Sequence, residues 1–331
     1  MISFVWPPGA PMLAGTGGSE TYTAGQVREL LRRGIEAQVV TIGHGTKDGR
    51  RDFPDVPFLA LTSTADISRL PGRVVFVNRS YDVPTLKKAA IILHYIPPRL
   101  SERKQRQADI KGKTVIATSI YSGQQWALFL NIPYSRIHIV LPFADPVFGN
   151  ARRTKPSSKT RILYAGRLHP EKGIYTLLEA LHERVMRKNG HLVSIVTAGQ
   201  HVEEGVTIAQ MLQRYPYARL IPARKHVTDM ATLLTHSDIL LMPSVFAEPF
   251  GMLSVEAQHA GCRVVASNIG GLPETNCGLL TLVEPRNPKA LIKGIEQAVA
   301  LGAATKKERE EAKDGFMLDE SVDSLLEALH I

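Results

Sequence analysis

Short apolar runs alternate with amphipathic stretches along the whole chain. Runs at 2–6, 39–42, 74–77, 90–93, 115–117 and 137–141 predict strands in the first half. Runs at 162–164, 193–197, 219–221, 239–242, 264–266 and 279–283 predict strands in the second. Residues 20–33 carry Val27, Leu30 and Leu31 at helical spacing, with Gly34 as a stop. A helix is also predicted over 174–181, another from Gly251 onward, and one over 318–329, where Val322, Leu325, Leu326 and Leu329 share a face. Strand–helix alternation in both halves predicts an α/β protein with two parallel, doubly wound sheets. The polar, Pro-containing stretch 150–159 reads as a linker. The expected division is therefore 1–150, 151–305 and a helical segment 306–331.

Composition narrows this only a little. At 331 residues the chain is long for one core and comfortable for two domains. The formal net charge of +9 suits an anionic partner, whether a nucleotide, a membrane surface or nucleic acid. Nucleic acid is disfavoured, because no recognised module and no aromatic-studded basic stripe is present. Two cysteines, Cys262 and Cys277, make no disulfide framework and lack metal-ligand spacing, which predicts a reducing, cytoplasmic setting. The opening segment has no basic start and breaks at Pro7 and Pro8, so it is expected not to be a signal peptide. No apolar run approaches the roughly 18 residues of a membrane span. Residues 99–113 are the densest basic stretch of the first half, but Leu100 and Ile110 are too few for an inserted amphipathic face. Peripheral membrane contact through charge alone is the less favoured reading there.

The chemistry concentrates in the second half. Residues 243–257 set Glu248 and Glu256 on either side of a Pro-Phe-Gly turn, between an apolar strand and a helix. Pro243 and Pro249 keep the loop from being helical. Free N–H groups at the helix start, near Gly251, Met252 and Leu253, suit a phosphate. Glu256, a turn inside the helix, is placed to grip vicinal ribose hydroxyls, and Glu248 to reach hydroxyls beyond the phosphate. Upstream, the run 162–173 ends a strand in Gly166-Arg167 and continues to Lys172-Gly173. Arg167 as a fork and Lys172 as a point charge can neutralise a diphosphate. Taken singly, each of these residues reads more simply as a solvated side chain. Together they describe a place for phosphate, ribose and a polyol.

The complete string Pro-Ser, Glu-Pro-Phe-Gly, Glu-Ala resembles the Glu-x7-Glu signature of family 4 retaining glycosyltransferases of the GT-B fold. The upstream run resembles that family's Gly-Arg-x(4)-Lys-Gly pattern. The resemblance implies two Rossmann-like domains facing a central cleft and transfer of a sugar, with retention, from a nucleotide-diphosphate sugar to a hydroxyl acceptor. That acceptor is a small molecule, a saccharide or a lipid-linked group, and UDP is the commonest nucleotide in the family. No metal and no cofactor are implied, and no Asp-x-Asp occurs in the chain to suggest the metal-dependent GT-A alternative. Arg167, Lys172, Glu248 and His94 would carry catalysis. Phe250, Gly251, Met252, Leu253 and Glu256 would complete the donor site in the second domain, with the glycine loop Gly17-Gly18 facing the donor from the first.

By itself that glycine loop is an ordinary turn, and His94 at the end of its apolar run is an ordinary strand-end histidine. Residues 78–81 stand equally for an acceptor-side lining or a surface loop, and 223–227, with Arg224, Lys225 and His226, fall near the family's base contacts without selecting a base. Gly270-Gly271 with Pro273-Glu274 resembles a structural turn of the family. The terminal helix is expected to pack back on the first domain. Two departures stand out: Pro142-Phe143-Ala144-Asp145 replaces the usual Pro-Asn-Gly, and the first domain is short. The alternatives are a GT-B-like nucleotide-sugar epimerase or phosphorylase, and a non-catalytic nucleotide-sugar-binding protein.

Overall fold

The computed structural model describes the chain apart from residues 82, 84–88, 156, 183–190, 198–209, 211 and 222–225. It divides into two compact units, Met1–Phe143 with Leu318–Ile331, and Ala144–Met317.

The first unit holds a parallel seven-stranded sheet. Its strands are β1 (Ile2–Val5), β2 (Ala37–Ile42), β3 (Phe58–Leu61), β4 (Arg73–Val77), β5 (Ala89–Leu93), β6 (Thr114–Ala117) and β7 (Ile137–Ile139), in the order β3-β2-β1-β4-β5-β6-β7. Central strands such as β1 and β5 are buried at every position, because helices cover both faces of a parallel sheet. Helix α1 (Gly18–Arg32) follows β1 and buries Tyr22, Val27 and Leu30. Helix α2 (Arg103–Ile110) leads into β6. Helix α3 (Ile120–Leu130) begins at Ser119, whose Oγ accepts from the Ser122 N–H at 2.9 Å, and ends at Asn131 in the left-handed conformation.

The terminal helix, Leu318–Leu329, belongs to this unit. Ser321 Oγ accepts from Gln26 Nε2 at 2.8 Å and donates to the Leu141 carbonyl at 2.6 Å. Arg33 pairs with Asp323 and donates to the Asp319 carbonyl.

The second unit holds a parallel six-stranded sheet of β8 (Arg161–Gly166), β9 (Leu192–Thr197), β10 (Ala218–Ile221), β11 (Ile239–Met242), β12 (Arg263–Ser267) and β13 (Leu280–Val283). Their order is β10-β9-β8-β11-β12-β13. Its helices include α4 (Pro146–Asn150), α5 (Ile174–His182), α6 (Val227–Thr235), α7 (Met252–His259), α8 (Pro288–Leu301) and α9 (Lys306–Lys313). Ile162, Tyr164, Leu177, Leu181, Ile195, Leu241 and Ile295 share its core.

Two sequence expectations need correction. The stretch 150–159 is not a free linker, and the boundary falls at Phe143/Ala144. Asp145 caps α4 by accepting from the Val147 N–H at 2.9 Å, Phe148 is buried, and Arg153 donates to the carbonyls of Ala260 and Ser237 at 3.0 and 2.7 Å. These bonds tie residues 145–153 to the second unit. The segment 306–331 is likewise not one piece. Helix α9 packs on α7, and Arg263 reaches Glu308 at 3.0 Å, so 306–317 stay with the second unit. The sequence reading also passed over β3, an edge strand of four residues with no fully buried position.

Candidate functional site

In the second sheet the chain steps outward from β8 to β10, then restarts beside β8 with β11. Open α/β sheets bind ligands at the carboxyl ends of strands flanking such a switch. The two loops that resemble family motifs leave those two strands.

They are joined to each other before any ligand arrives. The Val245 N–H donates to the Glu171 carbonyl at 2.8 Å. Gly173 lies against Pro243 so closely that an added Cβ would stand 1.7 Å from its carbonyl oxygen, and its φ of +74° is one that glycine alone adopts readily. Tyr164 Oη donates to the Arg167 carbonyl at 3.0 Å, which shapes the turn after β8. Lys172 Nζ then meets both carboxylate oxygens of Glu248, at 2.6 and 2.9 Å, and lies 4.8 Å from the centroid of the Phe246 ring. Ser244 Oγ donates to Glu248 Oε1 at 2.6 Å. The backbone of Glu248 is held too, its carbonyl accepting from the Gly271 N–H at 2.8 Å. The Gly270-Gly271 turn presses on that loop with no room for a side chain at either position.

Arg167 is exposed, and its guanidinium has no partner among the described residues. The two predicted phosphate cations thus differ: one is free and the other is engaged by the predicted sugar ligand. Phe250 is buried against Phe316, ring centroids 5.3 Å apart, so what it can offer a ligand is backbone. Gly251 precedes α7, and Met252 and Leu253 are half-buried at its start.

Helix α7 is fixed by side-chain bonds. Gln258 Nε2 donates to the Thr275 carbonyl at 2.7 Å, and its Oε1 accepts from the N–H groups of Cys277 and Leu279. Thr275 Oγ1 donates to Ser254 Oγ at 2.7 Å. Glu256 is buried in this rigid helix, and its carboxyl makes no hydrogen bond among the described residues. Burial, with the charge of Asp145 adding to it, pushes Glu256 up to about 8.

In the first unit the structure is less accommodating to the predicted roles. Helix α1 does begin at Gly17-Gly18, but Glu20 already occupies that end. Its carboxylate accepts from Thr16 Oγ1 at 2.9 Å and Ser19 Oγ at 3.0 Å, and an added Cβ on Gly17 would meet Glu20 Oε2 at 2.9 Å. A negative charge stands where free N–H donors for a diphosphate were expected. His94 follows β5 as predicted; its N–H donates to Asn78 Oδ1 at 2.8 Å, and its ring meets Tyr22 edge-on at 4.8 Å. Its Nε2 is buried without a hydrogen-bond partner among the described residues, and burial pushes the ring down to about 3, so it is neutral at physiological pH. Asn78, Ser80 and Tyr81 serve the structure around it: Ser80 donates to the Asp109 carbonyl at 2.5 Å, and Tyr81 packs on Phe76.

Of the remaining expectations, 223–225 lie outside the described residues, and His226 immediately precedes α6. The basic stretch is partly engaged internally. Arg106 reaches the Asn78 carbonyl at 3.1 Å and pairs with Glu102 and Asp109, while Arg103 lies over the Phe129 ring. No described helix is long and apolar enough to cross a membrane.

The family-model match to known proteins falls in the second unit. Residues 159–300 match the family model described as glycosyl transferases group 1. The chain is 29% identical over 176 residues to a glycogen synthase of Mycobacterium tuberculosis, covering 51% of this chain and 41% of that one. It is 31% identical over 150 residues to the lipopolysaccharide 1,2-N-acetylglucosaminetransferase of Salmonella typhimurium, covering 43% and 39%. With a D-inositol 3-phosphate glycosyltransferase of Corynebacterium kroppenstedtii the identity is 27% over 222 residues, covering 61% and 49%. The matches thus span less than half the length of these relatives.

Among solved structures, a glycosyltransferase from Rickettsia africae aligns with a TM-score of 0.81 at 21% identity, covering 99% of this chain and 97% of that one. HepE of Anabaena in complex with UDP aligns with a TM-score of 0.77 at 17% identity, covering 99% of both. The fold is therefore the one these structures share, two parallel-sheet α/β Rossmann-like domains of GT-B type. The sequence matches support the glycosyltransferase group 1 family.

Proposed function

We propose that the protein is a retaining, metal-independent glycosyltransferase that uses a nucleotide-diphosphate sugar, with UDP as the preferred nucleotide, and acts in the cytoplasm. The observation that carries this reading is the set Arg167, Lys172 and Glu248 assembled at the β8–β11 switch, with the unpartnered buried Glu256 on the helix that follows β11. HepE, which shares the fold, is seen in complex with UDP-glucose and so supports a uridine donor. The free thiols of Cys262 and Cys277 are consistent with a reducing compartment.

In this reading Glu256 accepts hydrogen bonds from the ribose hydroxyls, Arg167 and Lys172 neutralise the diphosphate with the N–H groups after Gly251, and Glu248 orients the sugar. As the bond from the anomeric carbon to the phosphate oxygen breaks, negative charge grows on the leaving diphosphate. Losing one of the contacts that stabilise it costs about 3–4 kcal/mol. The acceptor oxygen bonds to the anomeric carbon on the same face, and its proton passes to the leaving phosphate oxygen. His94, neutral and with Nε2 without a partner among the described residues, and the Gly17-Gly18 backbone, from which Glu20 would have to move aside, are kept as proposed ligand contacts. The acceptor is a hydroxyl of a small molecule, a saccharide or a lipid-linked group.

The test is titration with UDP-, GDP- and ADP-sugars read by thermal shift, followed by assignment of the product's anomeric configuration by NMR. A ligand at about 100 times its dissociation constant adds about 2.7 kcal/mol of stability. Binding of the UDP-sugar and a product of unchanged configuration are expected. An inverted product refutes retention, and the absence of a shift with all three donors refutes the donor site.

A further inference from the structure

A second basic site lies in the second unit; it touches the far end of α7 but shares no residue with the proposed donor site. It is a cavity of about 330 Å³ lined by Arg152, Arg153, Arg309 and Lys313, with Thr154 and His259, and no carboxylate is among its lining residues. That volume falls at the small end of the range for ligand pockets.

The cations are placed there by the fold. Gly261 has φ +77°, and a Cβ on it would meet Arg309 Cδ at 2.6 Å and Arg153 Cδ at 2.9 Å. The stem of Lys313 passes over Gly149, 3.4 Å from where its Cβ would be. Gly261 thus makes room for the stems of Arg309 and Arg153, and Lys313 joins them in lining the one cavity.

Not all of this charge is available. Arg153 donates to the carbonyls of Ala260 and Ser237 and lies 3.6 Å from Asp238, so it is a structural part of the wall. Lys313 pairs with Glu310 at 3.1 Å, an exposed contact of little strength. Arg309 gives one N–H to the Ala304 carbonyl and keeps the rest of its fork. Arg152 is exposed, and its guanidinium has no partner among the described residues. Burial lowers His259, helped by Lys313 and opposed by the bond from its Nε2 to the Gly315 carbonyl. Like charges gathered with so few counter-charges repel one another, and an anion relieves that repulsion.

We propose that this cavity binds the phosphate group of a compact phosphorylated molecule, with Arg152 and Arg309 as its forked donors and Lys313 as a point charge. Arginine forks match phosphate oxygens bidentately, and a single tetrahedral group is small enough for the cavity. The site is independent of the donor reading, since it shares no residue with it.

The probe is inorganic phosphate, compared with chloride at matched ionic strength, and the readout is hydrogen exchange localised along the chain. Phosphate is expected to protect 149–154 and 306–313 in the wild-type protein and in Arg167→Ala alike. The double variant Arg152→Ala, Arg309→Ala should lose that protection and raise the phosphate dissociation constant by about tenfold or more, while UDP affinity stays unchanged. Vesicles containing anionic phospholipid form a parallel arm. Pelleting abolished by the same double variant identifies a lipid headgroup as the source, and pelleting unaffected by it identifies a free phosphorylated molecule. Wild-type protein without protection at these segments, or equal protection in the double variant, overturns the proposal. Loss of UDP binding in Arg167→Ala bears on the donor site alone.

Discussion

Replacing Glu248 by Gln separates two roles that the structure joins in one ion pair. In the free protein Lys172 Nζ contacts both oxygens of Glu248 at 2.6 and 2.9 Å. The Lys172 side chain is 23% exposed and that of Glu248 only 8%. A diphosphate arriving at Lys172 must therefore compete with a carboxylate already in place. A hydrogen bond to a charged partner is worth about 1.5–3 kcal/mol net. Glu248→Gln keeps the shape and a carbonyl acceptor for Ser244 Oγ, but removes the negative charge. Recovering part of that energy should tighten UDP binding by up to about tenfold, while sugar transfer falls because the carboxylate proposed to hold the sugar is gone.

Lys172→Ala should instead weaken UDP binding, lower transfer and destabilise the fold. It leaves Glu248 buried with Ser244 as its remaining side-chain partner. The loss of stability should be near the low end of the roughly 3–5 kcal/mol that follows breaking a buried pair, since Lys172 is partly wet. Calorimetric titration with UDP at low and high salt, beside thermal melts, measures both effects. If Glu248→Gln weakened UDP binding as much as Arg167→Ala, or if Lys172→Ala left melting and UDP affinity unchanged, the competition argument would be wrong.

Three further outcomes follow from single positions. Glu256 is raised from 4.5 to about 8, so the native state keeps a proton that the unfolded chain has released; stability should fall as pH rises from about 4.5 to 8 and level off above. Glu256→Gln should abolish that slope in urea melts, and UDP affinity of the wild type should rise by up to about tenfold per pH unit approaching 8, because the ribose contact requires the carboxylate. Gly173→Ala places a Cβ 1.7 Å from the Pro243 carbonyl oxygen at a φ of +74°, so the two loops must part. A loss of at least about 1–3 kcal/mol in melts and of measurable UDP binding is expected. Ser321→Ala leaves Gln26 Nε2 and the Leu141 carbonyl without their partner, which should cost about 1–3 kcal/mol and raise hydrogen exchange in 318–329 but not in 174–182.

Much of the architecture is legible in the amino-acid sequence, because the signals for it are local. Runs such as 74–77 and 239–242 are apolar at every position, as strands buried on both faces must be, and the helix over 318–329 shows its apolar face directly. The motif loops are legible for the same reason: Gly, Pro and charged residues at close spacing mark a strand end and a helix start. Glu20 is equally legible as an acid in the first turn of α1, with Thr16 four residues before it. Edge strand β3, Phe58–Leu61, is apolar at every position too, but it is only four residues long and none of its positions is fully buried, so the run alone does not place it in the sheet.

Only tertiary structure decided the rest. Lys172 and Glu248 are 76 residues apart and meet because β8 and β11 are neighbours in the sheet, an order that no local pattern encodes. The same holds for the domain boundary, set by bonds from Arg153 to carbonyls more than 80 residues away. The raised affinity of Glu256 for its proton, and the gathering of Arg152, Arg309 and Lys313 around one cavity, are consequences of burial and of distant elements packing together. Charge identity is written in the sequence, but its energy depends on the dielectric and the neighbours that folding supplies.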